Sequence, residues 1–320
     1  MTVSSADVTA SAARGRIPAP RRGSGPLGSR ARAAFPSYGA LLLPLLFLAV
    51  LAVVPVVQLF RMSVSSVGPQ NIIGDWPFAG VANFETIFAS SDFWHAFGIS
   101  FLFTAVLLAG VLVIGFIAAL WLTKDTRLSR FVQGLMMLCW ALPPIVTGTG
   151  WKFLLQGTGP FNAAAKALGL PEVSWLGDSS LVIWTLIAIT IWANIPFAAT
   201  VLKAGLFGVP TDTLEAASLD GAGNFQTIIR VILPQMRGVI ATPAVLVFVY
   251  GFGSSFNFIY VVTAGGPGTA SQTLPYFGYV AAFQNFQFGI AGAVAVVSIV
   301  VVLIVANGYI RSTGKEAMDR

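Results

Sequence analysis

Charged residues are scarce in this chain of 320 residues. Lys, Arg, Asp and Glu together make up 9% of the sequence and hydrophobic residues 56%, whereas about 25% of a typical soluble domain is charged. So few charges cannot cover a folded surface in water, and the composition predicts a membrane protein. The long apolar stretches contain no Asp, Glu or Arg and one Lys, Lys152. Because ion-driven carriers usually need an ionisable group inside the membrane, this scarcity argues against proton coupling.

Cysteine and histidine are almost absent, with Cys139 and His95 the only ones. These residues cannot supply a disulfide within the chain, a metal cluster or a nucleophilic triad. The nearest match to a phosphate-binding loop, residues 308–316, has five residues between its glycines where four are needed. It also has Glu316 where Ser or Thr must hold Mg²⁺. We therefore expect no enzymatic activity, no catalytic residue, no metal and no cofactor in this chain.

Long apolar runs dominate what is present. Six of them are long enough to cross a bilayer, which takes about 20 residues of helix. An even number of crossings places both termini on one side, and only Arg61, Lys152 and Lys166 of the 18 Lys and Arg residues fall on the other. Since cytoplasmic loops retain positive charge, both termini are predicted to be cytoplasmic. The predicted spans are 38–60, 98–122, 131–155, 181–202, 239–262 and 288–310.

Proline is frequent inside these predicted spans. Each proline removes a backbone donor, so we expect it to interrupt its span and to leave a carbonyl that a neighbouring helix or a wet cavity must satisfy. The concentration in spans three to five suggests that these spans line a path, with ordinary packing kinks as the alternative. The residues are Pro44, Pro55, Pro143, Pro144, Pro196 and Pro243.

The chain divides into three parts by composition. Residues 1–35 are rich in Ser, Ala, Gly, Pro and Arg and predict a disordered basic cytoplasmic tail. Residues 36–312 form the transmembrane domain, with a long cytoplasmic loop at 203–238, and residues 313–320 form a short cytoplasmic tail. The net charge of +6 follows this topology without a basic patch with interleaved aromatics, so no nucleic-acid partner is expected.

The loop at 203–238 predicts two short helices. Thr211 or Asp212 can cap the first, with Asp212 and Glu215 at capping-box spacing, and Gly221 ends it. Asn224 can cap the second, and the next proline ends it. Its apolar residues recur on one face, which suits a groove on a soluble partner, although a hairpin lying on the membrane is the alternative. They are Phe225, Ile228, Ile229 and Ile232.

This loop also resembles a family signature. Glu215-Ala216-Ala217 is followed by three residues and Gly221, then by nine residues, Val231, one residue and Leu233-Pro234. The pattern is similar to the EAA loop of ABC-importer permeases, with Val231 in place of Ile. The resemblance implies that the loop docks into a separate ATP-binding subunit. The residues to which it assigns this coupling role are Glu215, Ala216, Ala217, Asp220, Gly221, Arg230, Leu233 and Pro234.

The resemblance covers most of residues 35–310 and favours the carbohydrate-type, MalF-like permeases. Pro143-Pro144 before Trp151 and the segment 263–267, Thr-Ala-Gly-Gly-Pro, are similar to that group. The chain lacks the two additional N-terminal spans and the large periplasmic insertion of the maltose permease subunit. The implied structure is an all-α membrane protein with six transmembrane helices, the type I ABC-importer permease fold and cytoplasmic termini.

By the same resemblance, a sugar path runs between the third, fourth and fifth spans. The matching side chains are uncharged hydrogen-bonding or aromatic groups, which suit a neutral polyol. Alternatively, the small residues among them only allow close helix packing. The positions are Trp140, Thr190, Asn194, Gly251, Ser254, Ser255, Asn257 and Tyr260.

The resemblance implies import of a di- or oligosaccharide across a bacterial cytoplasmic membrane by a multi-pass, lipid-embedded subunit. The implied partners are a second, similar permease in a heterodimer, two ATP-binding subunits that hold ATP-Mg, and an extracytoplasmic sugar-binding protein. Three alternatives stay open from the sequence: a permease for glycerol-phosphate esters, an ion-coupled secondary carrier, and a membrane scaffold without transport.

Overall fold

The computed structural model describes residues 35–253 and 255–318. Within these residues the regular structure is helical, and the only extended pairing is an isolated bridge between Ser65 and Phe78. The all-α prediction is therefore confirmed for the described part of the chain. The predicted tail before Phe35 lies outside it. The helices are α1 Phe35–Ser63, α2 Ala82–Ala89, α3 Ser91–Leu122, α4 Arg127–Trp140, α5 Pro144–Leu155, α6 Pro160–Ala167, α7 Val182–Leu206, α8 Thr211–Leu219, α9 Asn224–Thr227, α10 Leu233–Gln235, α11 Arg237–Gly253, α12 Phe256–Val262, α13 Leu274–Tyr279 and α14 Phe288–Met318.

Four described helices are long and apolar enough to cross a membrane, and the number rises to six if each of two bent helix pairs is one span. The four contain Pro44–Ser63, Ser91–Leu122, Val182–Leu206 and Phe288–Tyr309. The bent pairs are Arg127–Trp140 with Pro144–Ala167, at 101°, and Asn224–Gln235 with Arg237–Gly253, at 76°.

The third predicted span is not one helix. Helix α4 ends at Trp140 and α5 begins at Pro144, with Pro143 in an extended conformation between them. A proline disfavours helical geometry in the residue before it, and it fits the first turn of a helix, where its missing N–H is not needed. The proline pair therefore separates two helices, as expected.

The other prolines do not interrupt their helices, and that expectation was wrong. Pro196 lies inside the continuous helix α7, and Pro243 lies inside α11. In the fifth predicted span, α11 contains Pro243 and α12 begins at Phe256, directly after a turn at Ser255. There the buried Ser255 hydroxyl donates a hydrogen bond to Thr273 Oγ1 at 3.2 Å. A side-chain contact to a distant segment thus accompanies this turn.

The core lies between α3, α7 and α11. Phe103, Leu107 and Leu186 are fully buried in it. Helices α3 and α7 approach so closely at Gly115 that an added Cβ would lie 2.9 Å from the Cβ of Ala198. Small residues at such crossings let two apolar helices gain dispersion contacts along their length.

Helix α7 also packs along one side of the broken third span, which consists of α4 and α5. Two aromatic pairs form the middle and one end of the contact between α7 and the third span. At the other end, Lys203 Nζ donates a charge-assisted hydrogen bond of 2.7 Å to Gln133 Oε1. This bond places the start of α4 and the end of α7 at the same end of the bundle. The aromatic pairs are Trp192 with Trp151 and Phe197 with Trp140.

Candidate functional site

The first half of the loop at 203–238 is helix α8. Pro210, in an extended conformation, occupies the N-cap position, and Thr211 is the first helical residue. The predicted capping by Thr211 or Asp212 was therefore wrong, and no side chain caps this helix. Glu215 and Ala216 are exposed, whereas Ala217 is half-buried.

Gly221 ends α8 with a defined backbone geometry. Its φ is +78°, in the left-handed region where L-residues with a Cβ are disfavoured. The N–H of Gly221 bonds to the carbonyl of Ser218 at 3.1 Å, and the N–H of Ala222 bonds to that of Ala217 at 3.0 Å. These two bonds form a Schellman motif, which satisfies carbonyls that a helix end leaves free. The signature glycine is thus explained by local geometry.

The second half of the loop runs through α9, a π-helical turn and α10. Gly223 occupies the N-cap position that was predicted for Asn224, and Asn224 is the first helical residue, so the helix begins one residue earlier than predicted. In the turn Ile228–Ile232, the N–H of Leu233 bonds to the carbonyl of Ile228, five residues earlier. Pro234 has no N–H, and the wider π turn just before it adapts the helix to that missing donor. The helix then ends at Gln235, one residue beyond the predicted end.

The predicted apolar stripe is divided between the surface and the interior. Phe225 and Ile229 are exposed, whereas Ile228 and Ile232 are half-buried. Ile232 packs against the main core. All but Ile232 line a groove of about 360 Å³ together with residues of α3, among them Phe116. One side of this segment therefore anchors the loop to the long helices and leaves the other side accessible.

An exposed region formed by α8 and the start of α9 contains several signature positions. We call it the loop surface: Glu215, Ala216, Leu219, Asp220 and Phe225, all exposed. The first four fall at helical spacing on one side of α8. Leu219 is 89% exposed and Phe225 76%, unusual values for large apolar side chains. The resemblance did not assign Leu219 and Phe225, although a large apolar residue on either side of a glycine turn is a recognisable signal.

The three signature residues nearest to α11 lie outside the loop surface. Arg230 is exposed but lies in the π turn outside the loop surface. Leu233 and Pro234 are half-buried. They shape the bend into α11, and Leu233 contributes to the groove beside α3.

Three predicted path residues pack inside the fold. Thr190 is fully buried, and its hydroxyl donates to the carbonyl of Leu186 at 2.7 Å. Gly251 packs against Thr104 and Leu107 of α3. Ser255 is buried with its hydroxyl bonded, and Ser254 lies outside the described residues. The described three serve close packing in this conformation.

The other four predicted path residues are accessible. Trp140 is exposed and stacks on Phe197 at 6.0 Å between ring centroids. Asn194 is half-buried, and its amide donates to the carbonyl of Thr190 at 2.8 Å. Asn257 and Tyr260 are exposed, three residues apart on α12. Both accessible side chains of α12 therefore lie just after the boundary between α11 and α12.

Tyr260 belongs to a larger group of rings that the sequence prediction missed. Its ring lies 5.1 Å from that of Phe256 and 5.3 Å from that of Tyr279. Phe256 also contacts Tyr276, and Tyr279 contacts Phe283. We call these five residues the tyrosine cluster. The spacing of residues 276, 279 and 283 on one helical face could have indicated it.

The Gly-Gly-Pro segment holds the cluster's two helices together. Thr263 Oγ1 and Ser271 Oγ are 2.9 Å apart, and Ser271 Oγ donates to the carbonyl of Gly266 at 2.7 Å. The N–H of Leu274, at the start of α13, donates to Ser100 Oγ of α3 at 2.7 Å. These bonds fix α12 and α13 relative to α3.

Residues 110–312 match the family described as "Binding-protein-dependent transport system inner membrane component". This match covers more than half of the chain and includes the loop surface and both broken spans. The chain belongs to this family. The resemblance predicted from the signature is confirmed, and the chain is a membrane permease component of an ABC transporter.

Two relatives and one solved structure extend the match beyond that segment. The diacetylchitobiose uptake system permease protein DasB of Streptomyces coelicolor is 30% identical over 311 residues, covering 93% of this chain and 94% of that one. The trehalose/maltose transport system permease protein MalF of Thermococcus litoralis is 29% identical over 277 residues, covering 85% and 91%.

The solved structure is that of a bacterial ABC transporter involved in the import of the acidic polysaccharide alginate. It aligns with a TM-score of 0.72 at 22% identity and covers 86% of this chain and 95% of that one. At this identity the likeness shows the fold, which is the type I ABC-importer permease fold of the prediction.

Proposed function

We propose that this chain is one of two permease subunits of an ATP-driven importer that moves a di- or oligosaccharide into the cytoplasm. The observation that carries the proposal is the loop surface, where Glu215, Ala216 and Asp220 of the signature lie together, exposed, beside the Gly221 turn. Sugar as the substrate is supported by the two relatives, both named for sugar transport, and by the uncharged character of the accessible path residues.

The proposed topology has both termini in the cytoplasm of a bacterial cell and six spans, formed by α1, α3, α4 with α5, α7, α11 with α12, and α14. Exposed Lys124, Arg127 and Arg130 lie at the start of α4, and the contact between Lys203 and Gln133 brings the end of α7 to the same level. Positive charge at that end favours the cytoplasmic side. The loop surface, which follows α7, is then accessible from the cytoplasm.

The loop surface offers an ATP-binding subunit two kinds of contact. Leu219 and Phe225 supply apolar side chains for pockets on the partner, and Glu215 and Asp220 supply charges around them. Interfaces of this kind concentrate their binding energy in a few well-buried large side chains. The chain itself then needs no cofactor, because two ATP-binding subunits hold ATP-Mg and hydrolyse it.

Packing contacts between the loop and the core helices transmit movement of the loop to the spans. Leu214 of α8 and the buried Val209 before it pack against the main core. The segment 224–235 packs against the long helices through the half-buried Ile228, Ile232 and Leu233. We propose that ATP-driven closure of the partner subunits shifts this unit against α3 and α7, which turns the path from one side of the membrane to the other.

The sugar path is proposed to follow the interrupted fifth span. An interrupted membrane helix frees backbone groups near the break, and such breaks mark substrate sites in many transporters. Asn257 and Tyr260 follow the break on α12, and the tyrosine cluster adds ring faces and hydroxyl groups. Rings and uncharged donors together suit the apolar face and the hydroxyl edge of a sugar.

Reconstitution tests this function. The chain, purified with its co-purifying permease, ATPase and binding-protein partners, is placed in liposomes and supplied with radiolabelled maltose or N,N′-diacetylchitobiose. We expect uptake that requires both ATP and the binding protein. Uptake by the chain alone, driven by a Na⁺ or proton gradient without ATP, would contradict the proposal and identify a secondary carrier.

A further inference from the structure

The segment between α1 and α2 folds back on itself. We call residues 64–81 the α1–α2 hairpin. Ser65 and Phe78 pair across it, and the N–H of Ser66 donates to the carbonyl of Pro77 at 2.8 Å. Phe78 therefore lies beside the residues that directly follow α1.

Contacts within the α1–α2 hairpin keep its loop compact. The side-chain amide of Asn71 donates to the carbonyl of Ser66 at 2.8 Å, and its oxygen accepts from the N–H of Gly68 at 2.8 Å. Further along, the ring of Trp76 lies 5.4 Å from the guanidinium carbon of Arg61, in the last turn of α1. Because these contacts fold the loop back towards the helix, its tip stays close to the end of α1.

The end of α1 is fixed where two membrane spans meet. The amide of Asn83 in α2 donates to the carbonyls of Ser63 and Ser65 at 2.9 Å each. At Gly292 of α14 an added Cβ would lie 2.9 Å from the backbone nitrogen of Ser63. Helices α1 and α14 are both long and apolar enough to cross a membrane. The α1–α2 hairpin is therefore held at the membrane boundary, where the first span ends and the last begins.

The α1–α2 hairpin exposes large apolar side chains at this boundary. Ile73, at its tip, is 95% exposed, and Phe78 is 81% exposed. Asp75 is the only charged residue in the sequence 64–81. Exposed apolar groups that lie close together mark an interaction site. The interfacial region of a bilayer accepts such groups, because apolar side chains enter the acyl chains while polar groups stay at headgroup level.

Arg61 supplies a positive charge at the same level. It is exposed, and among the described residues it forms no salt bridge. One N–H group donates to Gln58 Oε1 at 3.5 Å, which leaves guanidinium donors for another acceptor. Arginine binds phosphate through two parallel hydrogen bonds. Since tryptophan is enriched at headgroup level, the pair of Arg61 and Trp76 fits a position beside lipid phosphates.

We propose that the α1–α2 hairpin lies in the headgroup region of the outer leaflet, with Ile73 and Phe78 inserted among the upper acyl chains and Arg61 bound to a phospholipid phosphate. The partner of this surface is thus the lipid itself. The contact fixes the depth of α1, in which an 18-residue stretch has no residue buried by the described chain. The inference rests on the proposed function, whose topology places this end of α1 outside the cytoplasm.

Fluorescence quenching measures where the α1–α2 hairpin lies. Cys139 is the only cysteine, so Cys139→Ala gives a background in which one introduced cysteine carries a nitrobenzoxadiazole label. The assembled transporter is placed in vesicles of phosphatidylethanolamine and phosphatidylglycerol without binding protein. Labels on Ile73→Cys and Phe78→Cys should be quenched by nitroxide groups near the top of the lipid acyl chains. They should lose most of the quenching by iodide that a label in water shows.

Glu172→Cys is the control for a label in water. Glu172 is an exposed acid in the segment between α6 and α7, on the same side of the membrane in the proposed topology. Its label should be quenched by iodide and not by the lipid nitroxide.

Arg61→Gln tests the phosphate contact. The label on Phe78→Cys should be quenched about fivefold more by a nitroxide-labelled phospholipid than by a nitroxide-labelled diacylglycerol, which has no phosphate. Arg61→Gln should remove this difference. Lys166→Gln, which changes an exposed lysine of α6 paired with Glu172 at 3.7 Å, should keep it. Equal quenching by the two lipids when Arg61 is present would overturn the phosphate contact.

Three outcomes overturn the membrane contact. The first is full iodide quenching of both hairpin labels without nitroxide quenching. The second is protection that appears only after the binding protein is added, which identifies a protein-docking surface instead. The third is protection from both quenchers without binding protein, which identifies contact with another subunit. If Phe78→Cys does not assemble, Ile73→Cys at the loop tip decides the question.

The topology is tested separately in intact cells. A membrane-impermeant maleimide should modify Glu172→Cys directly and Lys124→Cys, at the start of the segment before α4, only after permeabilisation. The reverse pattern overturns the topology of the proposed function, and the hairpin contact with it. The expected pattern together with hairpin labels in water overturns the hairpin contact alone.

Discussion

The loop surface and the tyrosine cluster are built in different ways. Local backbone geometry positions the loop surface, because the Gly221 turn and the π turn before Pro234 need only residues near them in the chain. The tyrosine cluster joins α12 to α13 and the π turn after it, across a segment whose bonds reach Ser100 of α3. Damage to the first should therefore break energy coupling, and damage to the second should break sugar handling.

The largest effect is expected from Glu215→Lys. Reversing a charge within a protein interface costs several kcal/mol and corresponds to at least about a 30-fold loss. ATP-dependent uptake and binding-protein-stimulated ATP hydrolysis should fall together, while the amount of chain in the membrane stays constant. Glu85→Lys, at an exposed acid of α2 outside the loop, is the control and should retain uptake. Normal uptake by Glu215→Lys would remove the loop surface from the mechanism.

Leu219→Ala should have the next largest effect. A large apolar anchor that fills a pocket on a partner contributes about 1–3 kcal/mol, so uptake should fall roughly tenfold. Co-purification of the ATP-binding subunit should decrease in parallel. Leu168→Ala removes a similarly exposed leucine at the end of α6 and should do neither. Full retention of the ATP-binding subunit by Leu219→Ala would show that this exposed side chain does not dock.

Tyr260→Leu separates the two regions most directly. Loss of a ring contact and a hydroxyl donor should lower sugar uptake about fivefold to tenfold. Stimulated ATP hydrolysis should stay near the wild-type rate, unlike in the loop variants. Tyr260→Phe retains the ring and should recover part of the uptake. A parallel fall of hydrolysis and uptake would mean that Tyr260 supports the fold rather than the sugar.

The smallest effect is expected from Gly221→Ala. An added Cβ meets no neighbour at this position, so the cost comes from the φ of +78° alone and amounts to about 1 kcal/mol. Uptake should fall only a fewfold, and heating should release the ATP-binding subunit at a lower temperature. Gly223→Ala, at a φ of −70°, should behave as the wild type. Equal effects at both glycines would contradict the role of the Schellman turn.

Sequence patterns predicted the loop better than the path. Gly221 ends α8 as expected, and the broken third span follows from Pro143 and Pro144. The predicted N-cap of α8 was wrong because Pro210 occupies the N-cap position itself, so Thr211 lies one residue too late to cap the helix. The break in the fifth span was placed at the wrong residue. It lies beyond Pro243, where Ser255 bonds to Thr273 of another segment, and a local pattern contains no information on such a contact.

The sequence alone determined the family, the apolar helices and the signature loop, because these depend on composition and on spacings within a short stretch. Only the tertiary structure decided which predicted path residues are accessible. Thr190, Gly251 and Ser255 share the residue types expected of a path, yet they are buried against neighbouring helices. The rings of Trp151, Phe161 and Trp192 come together from three helices. Residues far apart in the chain meet only when helices pack, and packing sums many weak contacts that no single stretch encodes.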